Sequence, residues 1–328
     1  MTPTLEPLAQ RVLAGDRRAL ARAITLIESR RADHQEQADR LLERLLPATG
    51  KAVRLGISGT PGAGKSTFIE ALGRHVIDLG RQIAVLAVDP SSRRSGGSIL
   101  GDKTRMQRLA QAPQAFIRPS PAGATLGGVA RRTREAGLAC EAAGFDVVVV
   151  ETVGIGQSEG AVADMVDCFL LLLAPGAGDE LQGIKRGVVE LADLVVINKA
   201  DGELLAAAKR AQADYQAALQ LLRPPTPAWT PEVLACSALH DGGIDAVWHA
   251  VGRQRQALED SGELAAKRAR QVRSWLWAEV QAALADALSA DPATADLLAS
   301  LENDVRSGRL LPPQAARALI HRFRTAGH

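Results

Sequence analysis

Seven short apolar runs punctuate the chain between residues 53 and 240, at 53–58, 83–88, 115–117, 147–150, 169–173, 194–197 and 233–236. Each is continuously apolar rather than alternating, as strands buried on both faces are, and helical stretches separate them. The pattern predicts an α/β fold, a mostly parallel sheet with helices on both faces. Ahead of it, Leu20, Ile24 and Ile27, then Leu41, Leu42 and Leu45, recur at helical spacing until Pro47 and Gly50 break the pattern. Beyond 242 the strand signals vanish. The spacing predicts one long helix from 253 to 289, another opening at Asp291-Pro292 and a last one after Pro312-Pro313. Three segments follow: a helical arm at 1–50, the α/β domain at 51–242 and a helical region at 243–328. Trp275 and Trp277, with Trp248 upstream, hold much of the scarce aromatic content and read as local core rather than as an interface.

Composition narrows the classes. The 328 residues are 46% apolar and 23% charged, as in a soluble globular protein, and a net charge of +2 gives no electrostatic case for nucleic acid. The longest apolar runs fall far short of the roughly 20 residues of a membrane helix. Cys140, Cys168 and Cys236 stand singly in apolar stretches, which predicts buried, reduced thiols and no metal ligation by them. No secretory apolar core opens the chain, and Glu6, Asp16 and Glu28 argue against a transit peptide, so a cytoplasmic location is expected.

The first chemical signal directly follows the first apolar run. Gly59-Thr60-Pro61-Gly62-Ala63-Gly64-Lys65-Ser66, then Thr67, is a G-x-x-x-x-G-K-S/T loop between a strand and a helix. Its glycines let backbone N–H groups turn toward a β-phosphate. Lys65 supplies a point charge for the β/γ oxygens, Ser66 a hydroxyl for Mg²⁺, and the helix its positive end.

The second signal names the base. Asn198-Lys199-Ala200-Asp201 follows the run at 194–197 and reads N-K-x-D. The Asp201 carboxylate can accept from the N1–H and the exocyclic amine of guanine, whereas adenine offers an acceptor at N1. The Lys199 stem can cover the base plane and Asn198 can tie neighbouring loops. Cys236-Ser237-Ala238-Leu239 then closes the pocket, with the Ala238 amide directed at guanine O6.

Asp89 and Glu151 close two of the apolar runs and are candidate Mg²⁺ carboxylates beside Ser66. Glu151-Thr152-Val153-Gly154 also offers the Gly154 amide to a γ-phosphate, whose loss would release the loop. Ras-like GTPases place a water-orienting Gln directly after this glycine. Here Ile155 stands there and Gln157 comes later, which predicts slow unaided hydrolysis. Candidates for completing the catalytic site are Gln157, Arg93 and Arg94, and the loop at 176–187 with Asp179, Glu180 and Lys185.

With these residues assembled, the chain resembles the MeaB family, bacterial relatives of the human methylmalonic aciduria type A protein, within the SIMIBI class of P-loop GTPases. The resemblance rests on GTPGAGKST at 59–67, DPSSRRSGGSILGDKTRM at 89–106, RPSPAGATLGGVA at 118–130, ETVGIGQSE at 151–159, GAGDELQGIKRG at 176–187, NKAD at 198–201 and CSAL at 236–239. It implies a P-loop NTPase sheet and a GTP-hydrolysing chaperone for an adenosylcobalamin-dependent acyl-CoA mutase, most naturally methylmalonyl-CoA mutase, that gates cofactor loading and protects the mutase. By matching motif it implies Lys65, Ser66, Asp89, Asp102 and Glu151 as the nucleotide and Mg²⁺ site. It also makes 176–187 a third switch, with Lys185 its lysine for stimulated hydrolysis. Further implied are a homodimer through the C-terminal helices and an adenosyltransferase as a second partner.

None of the six histidines stands in a D-x-H-x-x-G setting, so no cobalamin site of its own is expected. The rival readings are a nickel-delivering metallochaperone GTPase, which would need Cys/His ligands near its switches, a P-loop kinase of a small molecule or transport protein, against which N-K-x-D counts, and a binding module that holds GTP structurally.

Overall fold

A computed structural model of the chain describes residues 5–88, 106–119, 126–152, 159–175 and 186–325. Three helices open it: α1 (Leu5–Leu13), α2 (Arg17–Ile27) and α3 (Ala32–Leu45). Strands and helices then alternate: β1 (Val53–Gly59), α4 (Lys65–Asp78), β2 (Ile83–Val88), α5 (Gln107–Gln111), β3 (Ala115–Arg118), α6 (Leu126–Ala142), β4 (Val147–Thr152) and α7 (Glu159–Ala163). The alternation continues with β5 (Cys168–Leu173), α8 (Arg186–Val189), β6 (Leu194–Ile197), α9 (Leu205–Gln220) and β7 (Glu232–Ala235). The chain ends in α10 (Ile244–Asp260), α11 (Glu263–Ala290), α12 (Pro292–Arg306) and α13 (Pro312–Thr325).

The seven strands form one sheet in the order β3-β2-β4-β1-β5-β6-β7, every neighbouring pair parallel. Successive side chains of a strand point to opposite faces, so each strand feeds two cores. On one face Leu55 and Ile57 of β1, Val149 of β4 and Leu172 of β5 pack with Phe68 and Leu72 of α4 and with Val247, Trp248 and Val251 of α10. On the other face Ala84, Leu86 and Val148 meet Leu20, Ile24 and Ile27 of α2 and Leu41 and Leu45 of α3, with α6 alongside. Farther along that face Phe169, Leu171 and Val195 pack with Val162 of α7 and Tyr215 of α9.

The three N-terminal helices form one wall of a sheet core. Burying each of their leucines and isoleucines contributes about 1.5–3 kcal/mol. Polar ties fix the wall. Arg118 pairs with Glu28, and Arg132 Nη2 donates to the Ser29 carbonyl at 3.2 Å.

The single helix expected over 253–289 is two, because Gly262 adopts φ +75° between α10 and α11 and caps the first. One compact unit spans Met1–Gln271 and a second Val272–His328. Within the first, the opening turns of α11 are anchored below the sheet. Arg268 holds the Asp167 carboxylate at 2.9 and 2.7 Å, and Lys267 Nζ donates to the Asp167 carbonyl at 2.7 Å and pairs with Asp193 at 3.3 Å. Burial pushes the Asp193 carboxyl above its usual range, partly offset by Lys267.

The reading of the tryptophans as local core holds for Trp248, which is buried, and fails for Trp277, which is 57% exposed. Trp275 is half-buried, and its Nε1 donates to Glu279 at 2.9 Å. All three cysteines are buried and unbridged, and burial pushes their thiols up, Cys236 to about 12. The folded protein is expected to resist a disulfide-exchange reagent at neutral pH and to react only on unfolding. Rapid labelling of any native cysteine would contradict this burial. No helix of the described residues is long and apolar enough to cross a membrane.

Candidate nucleotide site

β1 lies at the centre of the sheet, hydrogen-bonded to β4 on one side and β5 on the other, so its carboxyl end opens where such sheets bind ligands. Its last residue, Gly59, is in register with Leu172 of β5. A Cβ at Gly59 would lie 2.1 Å from the Leu172 carbonyl oxygen, so only glycine lets the loop leave the strand here. The loop turns on a bond from the Ala63 amide to the Thr60 carbonyl at 3.1 Å. Gly64, at φ +88°, passes the chain into α4 in a left-handed conformation. Lys65 opens that helix and folds back across the loop, its Nζ donating to the Gly59 and Thr60 carbonyls at 2.7 and 3.4 Å. Ser66, half-buried, and Thr67, exposed, stand in the same first turn. Pro61 and Gly62 form the exposed crown.

The base motif is bound physically to this loop. Asn198, buried at the end of β6, donates from Nδ2 to the Ala63 carbonyl at 2.8 Å and accepts at Oδ1 from the Ala238 amide at 3.0 Å and from Cys236 Sγ at 3.5 Å. One amide thus joins three segments 135 and 40 residues distant in sequence. Asp201 accepts from Ser237 Oγ, so the carboxylate assigned to the base is held by a neighbour's hydroxyl. Lys199 takes φ +58° and stays exposed, while the next amide, Ala200 N–H, donates to the Cys236 carbonyl at 2.9 Å. Leu239 is 73% exposed. The Ala238 amide, expected from sequence to meet guanine O6, donates to Asn198 Oδ1, whose side chain lies between the two loops.

Replacing Asn198 with Ala strands the Ala63 carbonyl and the Ala238 amide and is expected to destabilise the nucleotide-free protein by about 1–3 kcal/mol. Thermal unfolding without nucleotide measures this. An unchanged midpoint would show that the bridge carries no structural weight.

On the other side of the loop, Glu151 stands next to last in β4, buried, in register with Ile57. Beside it the Thr152 hydroxyl donates to Ser58 Oγ at 2.8 Å, both side chains fully buried. This hydroxyl pair ties the strand end before the phosphate loop to the strand end before the segment at 153–158. The sequence gives no sign of it, since nothing along the chain says that β1 and β4 are neighbours. Cys236, read only as a buried thiol, likewise joins the Asn198 bridge. Asp89, Asp102, Gly154, Gln157, Asp179, Glu180 and Lys185, with Arg93 and Arg94, lie outside the described residues.

Comparison with known proteins agrees with this geometry. The family model described as Methylmalonyl Co-A mutase-associated GTPase MeaB matches residues 20–293. A protein of Caulobacter vibrioides named as a GTPase is 58% identical over 325 residues, covering 98% of this chain and 99% of that one. The mouse mitochondrial methylmalonic aciduria type A homolog is 48% identical over 324 residues, covering 96% of this chain and 78% of its own length. A crystal structure of a LAO/AO transport system kinase superposes with a TM-score of 0.79 at 41% identity, covering 99% of both chains. A phosphate loop, a joined N-K-x-D motif and a match across most of the length lead to one conclusion: the chain belongs to the MeaB family of P-loop GTPases, described as methylmalonyl-CoA mutase-associated.

Proposed function

We infer that the protein is a GTP-driven chaperone for an adenosylcobalamin-dependent acyl-CoA mutase, with methylmalonyl-CoA mutase the first candidate. The match of the mutase-associated family over residues 20–293 carries this reading, because it embraces the phosphate loop, the strings at 89–106 and 176–187 and the base motif together. Lys65 neutralises charge on the β/γ oxygens, and the first turn of α4 directs its amides at the phosphates. Asp201, steadied by Ser237, reads guanine. The donor set fits Mg²⁺: the Ser66 hydroxyl in the first turn of α4 and the buried Glu151 near the carboxyl end of β4 would be hard oxygen ligands, and Asp89 and Asp102 would complete the set. When bound, the ion would neutralise charge on the bridging phosphate oxygens. Gly154, with Gln157 nearby, senses the γ-phosphate, and the loop at 176–187, through Asp179, Glu180 and Lys185, answers to the mutase and speeds hydrolysis. An adenosyltransferase is the expected donor of the mutase's cofactor.

The affinity of the full-length protein for a purified mutase should differ between a non-hydrolysable GTP analogue and GDP. Equal affinity in both states would remove the switch from the account. The structural neighbour named as a transport system kinase favours a second reading, phosphoryl transfer to another molecule. Release of inorganic phosphate from GTP with no acceptor present separates the two.

The helical region serves, in this reading, as a homodimer surface. Val272, Leu276 and Leu284 recur at four-residue multiples on α11, and with Trp277 they are 57–62% exposed. The double change Leu276→Asp and Trp277→Asp should convert a dimer to a monomer in light scattering while leaving nucleotide binding intact. A dimer that survives both changes would place the interface elsewhere.

A further inference from the structure

The amino end of the sheet, about 20 Å from the phosphate loop along β1, carries a groove of about 700 Å³ that the nucleotide chemistry does not use. Its walls come from the residues just before β1, β2 and β4 and from α10. Four cations, Lys51, Arg81, Arg253 and Arg255, line it against two carboxylates, Asp146 and Glu259.

The two sets are not equivalent. Arg255 is paired with Glu259 at 2.7 Å, and Arg253 with Glu232 at 2.6 Å. The Asp146 carboxylate accepts the Gln82 amide at 2.8 Å. Among the described residues Lys51 and Arg81 have no salt-bridge partner, although both stand at this rim. Arg81 is held: its guanidinium carbon lies 5.6 Å from the centroid of the buried Trp248 ring. A guanidinium held over an aromatic ring keeps its fork of donors and loses less freedom on meeting an anion. The backbone at Lys51 is held too, its carbonyl accepting from Arg255 Nη2 at 3.2 Å.

A second observation points the same way. Gly252 lies in the middle of α10 and lines this groove, exposed, and a Cβ there would meet nothing within 4 Å. Glycine inside a helix costs stability relative to alanine, and no packing in the fold asks for it here. A bare helix backbone in a cationic groove allows close approach of something else.

We propose that this groove is a second anion site, separate from the phosphate loop, that takes a small ligand carrying two or more phosphates. Arg81 and Lys51 are its cationic contacts, and Gly252 gives the room for the ligand to sit against α10. The volume lies in the range of small-molecule sites, roughly 300–1,000 Å³. Clustered cations with a fork geometry suit phosphate oxygens.

The test is calorimetric titration of inorganic pyrophosphate into the full-length protein saturated with GDP, with Mg²⁺ in excess over both anions. Because GDP fills the phosphate loop, the heat reports a site elsewhere. One site is expected, weakened at least tenfold in Lys51→Gln/Arg81→Gln and unchanged in Lys209→Gln/Arg210→Gln, which removes the same two charges from exposed positions of α9 outside the groove. Gly252→Leu should raise the melting temperature yet abolish the pyrophosphate signal, a combination that a merely structural role for this residue does not produce. No heat in the parent protein, equal binding in Lys51→Gln/Arg81→Gln, or equal binding of succinate would each overturn the proposal.

Discussion

Replacing Asp201 with Asn is expected to lower kcat/KM for GTP by about 5- to 150-fold, the equivalent of roughly 1–3 kcal/mol for a two-bond base contact, and to make xanthosine triphosphate the better substrate. In the proposed base pocket the carboxylate would accept twice, from N1–H and from the exocyclic amine. An asparagine amide keeps one acceptor and presents a donor where the second was. Guanine then faces donor against donor, while xanthine, with a carbonyl at that position, regains both bonds. The Ser237 hydroxyl, which donates to Asp201, can still bond an asparagine oxygen, so the fold should survive the change. Steady-state phosphate release with the two triphosphates reads the effect. Undiminished GTP turnover in the variant would mean that Asp201 does not touch the base. Ser237→Ala should fall between variant and parent, because it loosens the carboxylate without changing its chemistry.

Gly59→Ala should unfold the domain or leave it unable to bind nucleotide, at a cost of about 3 kcal/mol or more. The added methyl would stand 2.1 Å from the Leu172 carbonyl oxygen. That oxygen belongs to β5, which is paired to β1 on one side and β6 on the other, so neither partner can withdraw without breaking a ladder in the middle of the sheet. Gly62→Ala is the control. Its Cβ would meet open space and only the positive φ of 85° is penalised, about 1–2 kcal/mol. Melting curves of the two variants should therefore separate clearly. Similar midpoints would show that steric fit at the strand end is not what fixes the loop.

Much of this architecture was legible along the chain because a parallel sheet writes itself as continuous apolar runs. All seven expected strands form, with ends shifted by no more than two residues, as at β4, which runs on to Thr152. The phosphate loop and N-K-x-D motif were legible because their residue types are dictated by the groups they meet. What escaped depends on distance in sequence. The order of strands, and hence the Ser58–Thr152 hydroxyl pair, cannot be seen in any local window. The bond from the Ala238 amide to Asn198 escaped because the position of that side chain is set by two loops at once. Gly262 was read through as helix because a single glycine is tolerated in many helices, and here its left-handed φ decides the break. The N-terminal helices were recognised as helices, but an amphipathic stripe does not say what it covers. Leu20, Ile24 and Leu41 close a core whose other wall begins at Ala84.

The central claim is that GTP held by this loop is the signal to a mutase, and the rate of phosphate release from GTP, with and without an adenosylcobalamin-dependent acyl-CoA mutase, tests it most directly. Slow turnover of GTP alone, a severalfold rise on adding the cognate mutase, and little turnover of ATP in either case are expected. A GTP rate indifferent to every such mutase, or ATP turned over as fast as GTP, would contradict it.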